Sequence, residues 1–198
     1  MPERLRLLPI IATFVLMLAP LAHSVYVPKL PGDDVADFSL TAHNGEMYTL
    51  SQFRDSTVVV VMFISTRCPV SKDYDQRMSM LAKDFAGKGV QFLGINSNRQ
   101  EALEEIATHA GKSEFIFPVL KDSGNVIADR FGATRTPEVF VLNKARVVLY
   151  HGRIDDNRKA ARVESSDLRK ALDAILSGNP APKANTSAFG CSIKRIKR

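Results

Sequence analysis

A continuously apolar, largely β-branched run, Thr57-Val58-Val59-Val60-Val61-Met62-Phe63-Ile64-Ser65, gives way at Cys68-Pro69 to a helical pattern, and this junction constrains the fold more than anything else in the chain. The run reads as a buried strand, and Val70, Tyr74, Met78, Leu81 and Phe85 then recur at helical spacing, closed by Gly87 and Gly89. Val90 to Ile95 is a second buried strand. Ser97 and Gln100 form a capping-box pair opening a second helix, with Leu103, Ile106 and Ala107 inward, up to Gly111. Strand and helix alternate, which makes the fold class α/β, a sheet with parallel pairs joined by right-handed crossovers. Around this centre lie a hairpin through Asn44-Gly45, an edge strand interrupted by Pro118, a short helix ending at Gly132, a hairpin through Asn143-Lys144-Ala145 and a last amphipathic helix from Ser166 to Ser177.

Cys68 stands at the seam of strand and helix. Unpaired N–H groups at a helix start favour the thiolate, the reactive form of the side chain, and Pro69 suits a first helical turn. Arg67 and Lys72 add positive charge nearby. The plain alternative is a small buried hydrophobe.

A chain of 198 residues holds one ordinary domain with appendages. Arg4 and Arg6, the apolar stretch Leu7 to Leu21 and the triplet Ala22-His23-Ser24 read as a signal peptide over residues 1–24, the alternative being an uncleaved membrane anchor. Residues 25–32 read as a linker, 33–178 as the folded domain and 179–198 as a basic tail carrying Cys191. Export, periplasmic or extracellular, puts the two cysteines where disulfides persist. The net charge of +6 is concentrated at the end, where residues 183–198 hold five basic residues and no acidic one. Such a tail is weakly attracted to an anionic membrane surface, or is simply a solvated end after Asn179-Pro180-Ala181-Pro182. Nucleic acid is not expected as a partner of an exported chain with so little aromatic interleaving. The four histidines show no ligand spacing, so no metal and no cofactor is expected, and Asp155-Asp156 beside Arg153 reads as a solvated turn, the alternative being a polar loop near the active site.

Three strings, Gly32-Asp33-Asp34-Val35-Ala36-Asp37-Phe38, Gly89 to Ile95 and Thr136-Pro137-Glu138-Val139-Phe140-Val141-Leu142, together with a thiol at the first crossover, resemble the thioredoxin fold in its alkyl hydroperoxide reductase and thiol-specific antioxidant branch. The resemblance spans about Gly32 to Gly178. It implies a central mixed sheet flanked by helices, an N-terminal hairpin and an inserted strand and helix. It also implies a cis bond at Thr136-Pro137 packed beside Cys68, with Thr136 offering its backbone to a bound partner. Arg135 adds charge near Cys68 or lies on the surface.

Two departures matter. Ser71 stands where thioredoxins carry their second cysteine. Ser65 fills the hydroxyl position of peroxiredoxins, but Val61 replaces their proline and Pro137 stands about where their arginine strand begins. The resulting expectation is an exported thiol-dependent antioxidant with Cys68 as nucleophile and Ser65, Arg135, Thr136 and Pro137 around the substrate. Its partners are a hydroperoxide or a protein thiol or disulfide, with an external reductant. The alternatives are thiol-disulfide exchange through a mixed disulfide and a non-catalytic binding module. Cys191, the only other cysteine, is expected to resolve or cap Cys68; it alternatively bonds another chain or stays free.

Overall fold

Six consecutive apolar side chains, all buried, make β3 (Val58–Phe63) the centre of the sheet in a computed structural model that describes residues 27–197. The proposed leader, 1–24, and the first linker residues lie outside the described residues. In chain order the elements are β1 (Ser39–Thr41), β2 (Met47–Thr49), β3, α1 (Pro69–Asp73), α2 (Asp75–Asp84), β4 (Val90–Asn96), α3 (Leu103–Lys112) and β5 (Val119–Lys121). There follow α4 (Val126–Phe131), β6 (Arg135–Thr136), β7 (Glu138–Asn143), β8 (Val148–Gly152), α5 (Asp167–Leu176) and β9 (Cys191–Ser192). The main sheet has the order β5-β4-β3-β7-β8. β3 runs parallel to β4 and antiparallel to β7, so the sheet is mixed.

Because side chains alternate along a strand, β3 feeds two cores. Val58, Val60 and Met62 pack with Met78, Leu81, Ile106, Leu168 and Leu172 from α2, α3 and α5. Val59, Val61 and Phe63 face Ile127, Ala128 and Phe131 of α4 and Phe38 and Leu50 beside the hairpin. β1 and β2 pair across Asn44-Gly45, where Gly45 takes a φ of 84°. Among the described residues no helix is long and apolar enough to cross a membrane.

Three expectations are corrected. The single helix from Pro69 to Phe85 is two, because Tyr74 donates its N–H to Ser71 in a tighter turn before the helix resumes. The Ser97/Gln100 capping box does not exist: Ser97 donates its hydroxyl to Asp122 (2.8 Å), and α3 starts at Leu103 with no side-chain cap. The end of the chain is not a solvated tail. Residues 184–186 pair with His151, Ile193 is buried and donates its N–H to Thr134, and Arg195 pairs with Asp129 at 2.9 Å. That ion pair offsets part of the basic charge on which attraction to a membrane surface was expected to rest.

Two buried phenols tie the packing to pH. Burial pushes Tyr150 up to about 12, and burial with the Asp155 carboxylate raises Tyr74. A raised phenol favours the protonated form in the folded chain, so this stability is fully present below the unfolded value of ~10 and is lost as pH rises through the folded one. Urea midpoints are expected to fall above about pH 10, and Tyr150→Phe is expected to flatten the decline. An unchanged alkaline slope in that variant would contradict this account of Tyr150.

Candidate active site

The turn from β3 into α1 is held by side chains that leave the Cys68 sulfur at its apex. Cys68 occupies the N-cap of α1 with extended backbone (φ −74°, ψ 116°). Its N–H donates to Ser65 Oγ (2.9 Å), Ser65 N–H donates to Ser71 Oγ (3.1 Å), and Ser71 N–H points at Cys68 Sγ (3.3 Å). Ser71 thus supplies a hydrogen bond where thioredoxins have a second thiol.

Beneath the turn lies Glu101, only 1% exposed. Its carboxylate accepts from Ser65 Oγ (2.6 Å), Thr66 N–H (2.7 Å) and Asn96 Nδ2 (2.6 Å), while the Thr66 hydroxyl, 2.9 Å away, lies closer to Glu105. Three donors satisfy this buried carboxyl, and two of them, from Ser65 and Thr66, clamp the turn. Arg67 does not serve the sulfur: it grips Glu105 with Nε and Nη2 and, with the Thr66 hydroxyl, holds that carboxyl down to about 2.

Opposite Cys68 stands the loop 134–137. The Thr136-Pro137 bond is cis, and the Thr136 carbonyl oxygen lies 3.3 Å from Cys68 Sγ. β6 pairs antiparallel with β9 in the register Thr136 to Cys191 and Arg135 to Ser192. Cys191 is thereby brought to Cys68, and the two form a disulfide with Cα atoms 5.9 Å apart. Arg135 sends Nη1 to Ser192 Oγ (3.2 Å) and the Gly190 carbonyl (3.5 Å), so its charge sits on the chain end. The structure therefore gathers Ser65, Cys68, Thr136, Pro137 and Cys191 at one point, with Arg135 at the rim.

A second buried carboxylate supports this loop. Glu138 Oε2 accepts the N–H groups of Thr134 and Arg135, both at 2.8 Å. Its Oε1 lies 2.8 Å from His151 Nε2, and His151 Nδ1 lies 3.1 Å from Asn185 Oδ1. The β6 edge, the sheet and the 185 region are thus joined through one imidazole, which also stacks on Phe140. Asp155, read from sequence as part of a solvated turn, is buried and accepts from Tyr74 Oη (2.7 Å) and Arg77 Nη1 (2.6 Å), anchoring the far side of the α1–α2 corner. Among the described residues no group of three or more His, Cys, Asp or Glu is arranged to hold a metal ion.

Sequence reasoning missed Glu101, Glu138 and His151. Glu101 sits in Arg99-Gln100-Glu101, which looks like a solvated face, and His151 was weighed only as a metal ligand. Glu138 did carry a usable signal, a carboxylate opening an otherwise apolar strand directly after proline.

A profile of the AhpC/TSA family matches residues 31–151, which include Cys68 and leave out Cys191. Two similar solved structures are an uncharacterised conserved protein of Geobacillus kaustophilus and a hypothetical protein of Sinorhizobium meliloti 1021. The first is 31% identical with a TM-score of 0.80, covering 85% of this chain and 93% of its own. The second is 34% identical with a TM-score of 0.79, covering 85% and 96%. The peroxidoxin BcpB of Mycobacterium tuberculosis is 27% identical with a TM-score of 0.55, covering 61% of this chain and 83% of its own. No curated protein matches the sequence.

Proposed function

We propose, from the premise that the chain belongs to the AhpC/TSA family and is a cysteine-based oxidoreductase of thioredoxin fold, that Cys68 and Cys191 cycle between dithiol and disulfide while exchanging electrons with a protein partner outside the cytoplasm. The observation that carries this reading is the register of β9 on β6, which seats Cys191 as an extended strand beside Thr136 and bonds it to Cys68. A cysteine from a bound peptide would meet Cys68 in the same manner.

In the reduced protein the Cys68 thiolate attacks a partner disulfide. A Cys68–partner sulfur bond forms, the partner's own S–S bond breaks, and its second sulfur leaves as a thiolate that takes up a proton. The Cys191 thiolate then attacks the Cys68 sulfur, releases the partner as a dithiol and leaves the Cys68–Cys191 disulfide. An external dithiol returns the pair to its reduced state. Ser71 N–H stabilises sulfur charge on Cys68 whenever the pair is reduced. Ser65, Arg135, Thr136 and Pro137 form the binding surround in this reading. Export is supported by the leader pattern and by an oxidised pair using both cysteines of the chain.

Family membership favours a second reading, reduction of a hydroperoxide. There Cys68 attacks the peroxide oxygen, the O–O bond breaks with loss of an alcohol, and the sulfenic acid condenses with Cys191 to release water. The hydrogen bonds of the site weigh against it as the main activity. The single Ser65 hydroxyl proton goes to Glu101, so that hydroxyl is not free to polarise a peroxide. A non-catalytic module gives way to the family assignment.

The test is a side-by-side assay of reduced protein with a disulfide-bonded peptide and with hydrogen peroxide. The expected result is a rate constant for the disulfide about tenfold or more above that for peroxide. The reverse order would replace the exchange reading with the peroxidase one.

A further inference from the structure

The β6 edge is the place where an external partner has to meet Cys68, and the chain's own residues 189–193 lie on it. Their fit is specific at each position. Phe189 packs edge-on to the Tyr74 ring, with centroids 6.2 Å apart. Gly190 has a φ of 144°, and a Cβ placed on it would lie 2.1 Å from the Thr136 carbonyl oxygen, so no other residue passes the cis-proline loop there without displacing backbone. Cys191 pairs with Thr136, Ser192 takes the Arg135 guanidinium, and Ile193 is buried with its N–H on Thr134.

We infer that this segment holds the partner's site in cis, and that the partner is an extended peptide whose reacting cysteine is preceded by glycine. The inference rests on the thiol-disulfide exchange reading above. The same contacts prefer an aromatic residue before the glycine and an aliphatic one two positions after the cysteine. Partner and chain end compete for a single edge, so the partner enters when the 189–193 strand lifts, and the returning strand brings Cys191 to Cys68 as it displaces the product. Specificity is set by exclusion: a side chain before the cysteine meets the Thr136 carbonyl.

The test uses the full chain with Cys191→Ser, in which Cys68 is the one remaining thiol. Two end-blocked peptides, Phe-Gly-Cys-Ser-Ile and Phe-Ala-Cys-Ser-Ile, carry thionitrobenzoate on their cysteine, and release of the coloured thiolate is followed. Attack by Cys68 forms the Cys68–peptide disulfide and expels thionitrobenzoate, which keeps sulfur and charge in balance. The glycine peptide is expected to react about tenfold or more faster than the alanine peptide. Adding Gly190→Ala to the same protein unseats the internal strand, and the glycine peptide is expected to gain about tenfold again.

Equal rates for the two peptides, while a small aromatic disulfide still reacts with Cys68, would overturn the inference and leave the exchange reading standing. Failure of Cys68 to react with any of the three disulfides would overturn the exchange reading itself. No gain in the double variant, with thermal melting like that of Cys191→Ser, would refute occupation of the edge by the chain end. If the double variant does not fold, the peptide pair on Cys191→Ser alone decides.

Discussion

Cys68→Ser is expected to lower disulfide turnover by on the order of 10³-fold or more, because a serine hydroxyl at neutral pH is neither ionised nor able to form a disulfide. Cys191→Ser is expected to abolish turnover in a different way. Its Cys68 still attacks once, but nothing resolves the product, so a mixed disulfide with the partner accumulates and survives until an external thiol is added. The asymmetry follows from the surroundings of the two sulfurs. Cys68 is fixed by Ser65 and faced by the Ser71 N–H, whereas Cys191 rides on a two-residue strand at the chain end. Mass spectrometry of both variants after one equivalent of peptide disulfide reads the difference directly. A stable adduct on Cys68→Ser, with none on Cys191→Ser, would reverse the two roles.

What could be read from the sequence follows the range of the interactions concerned. The seam at Cys68 was legible because a continuous apolar, β-branched run and a helical run meet there, and both are local patterns. The cis loop at Thr136-Pro137 came from resemblance, since nothing in the composition of that string places it beside a residue 68 positions earlier. The position of Cys191 was open among three arrangements, because spacing says nothing about pairing.

The rest was hidden by long-range partners. Glu101 closes on Ser65 and Thr66, some 35 residues back, and Asp155 closes on Tyr74, 81 residues back, and both are carboxylates that a polarity pattern assigns to solvent. The chain end was misread for the same reason. Its basic residues and prolines look like a linker and tail, yet the segment from Ala184 to Ile196 finds partners on Asn98, Asn125, Asp129, Thr134 and His151, scattered over the domain. A backbone that pairs with distant strands leaves no periodicity of its own.

Reduction of the Cys68–Cys191 bond is expected to lower unfolding free energy by roughly 3–4 kcal/mol, the second large effect. The two cysteines are 123 residues apart in sequence. On the chain-entropy model a loop of that order restrains the unfolded chain by about 4.7 kcal/mol, an upper figure. The measured loss should fall somewhat below it, because a reduced unfolded chain is more compact than the random coil that the entropy argument assumes and regains less freedom; the native chain end keeps its pairing with β6, its bonds to Asn98 and Asn125 and the Arg195–Asp129 pair, so the difference is read from the unfolded state. Urea unfolding with and without reductant measures the difference, and Cys191→Ser should match the reduced protein closely. Because the oxidised unfolded chain is cross-linked and more compact, its denaturant slope should also be the smaller of the two. A loss below about 1 kcal/mol with identical slopes would mean that the loop does not restrain the unfolded state. With the expected loss, the dithiol is the less stable form of the protein, and the segment that closes the bond is the one that must move for a partner to reach Cys68.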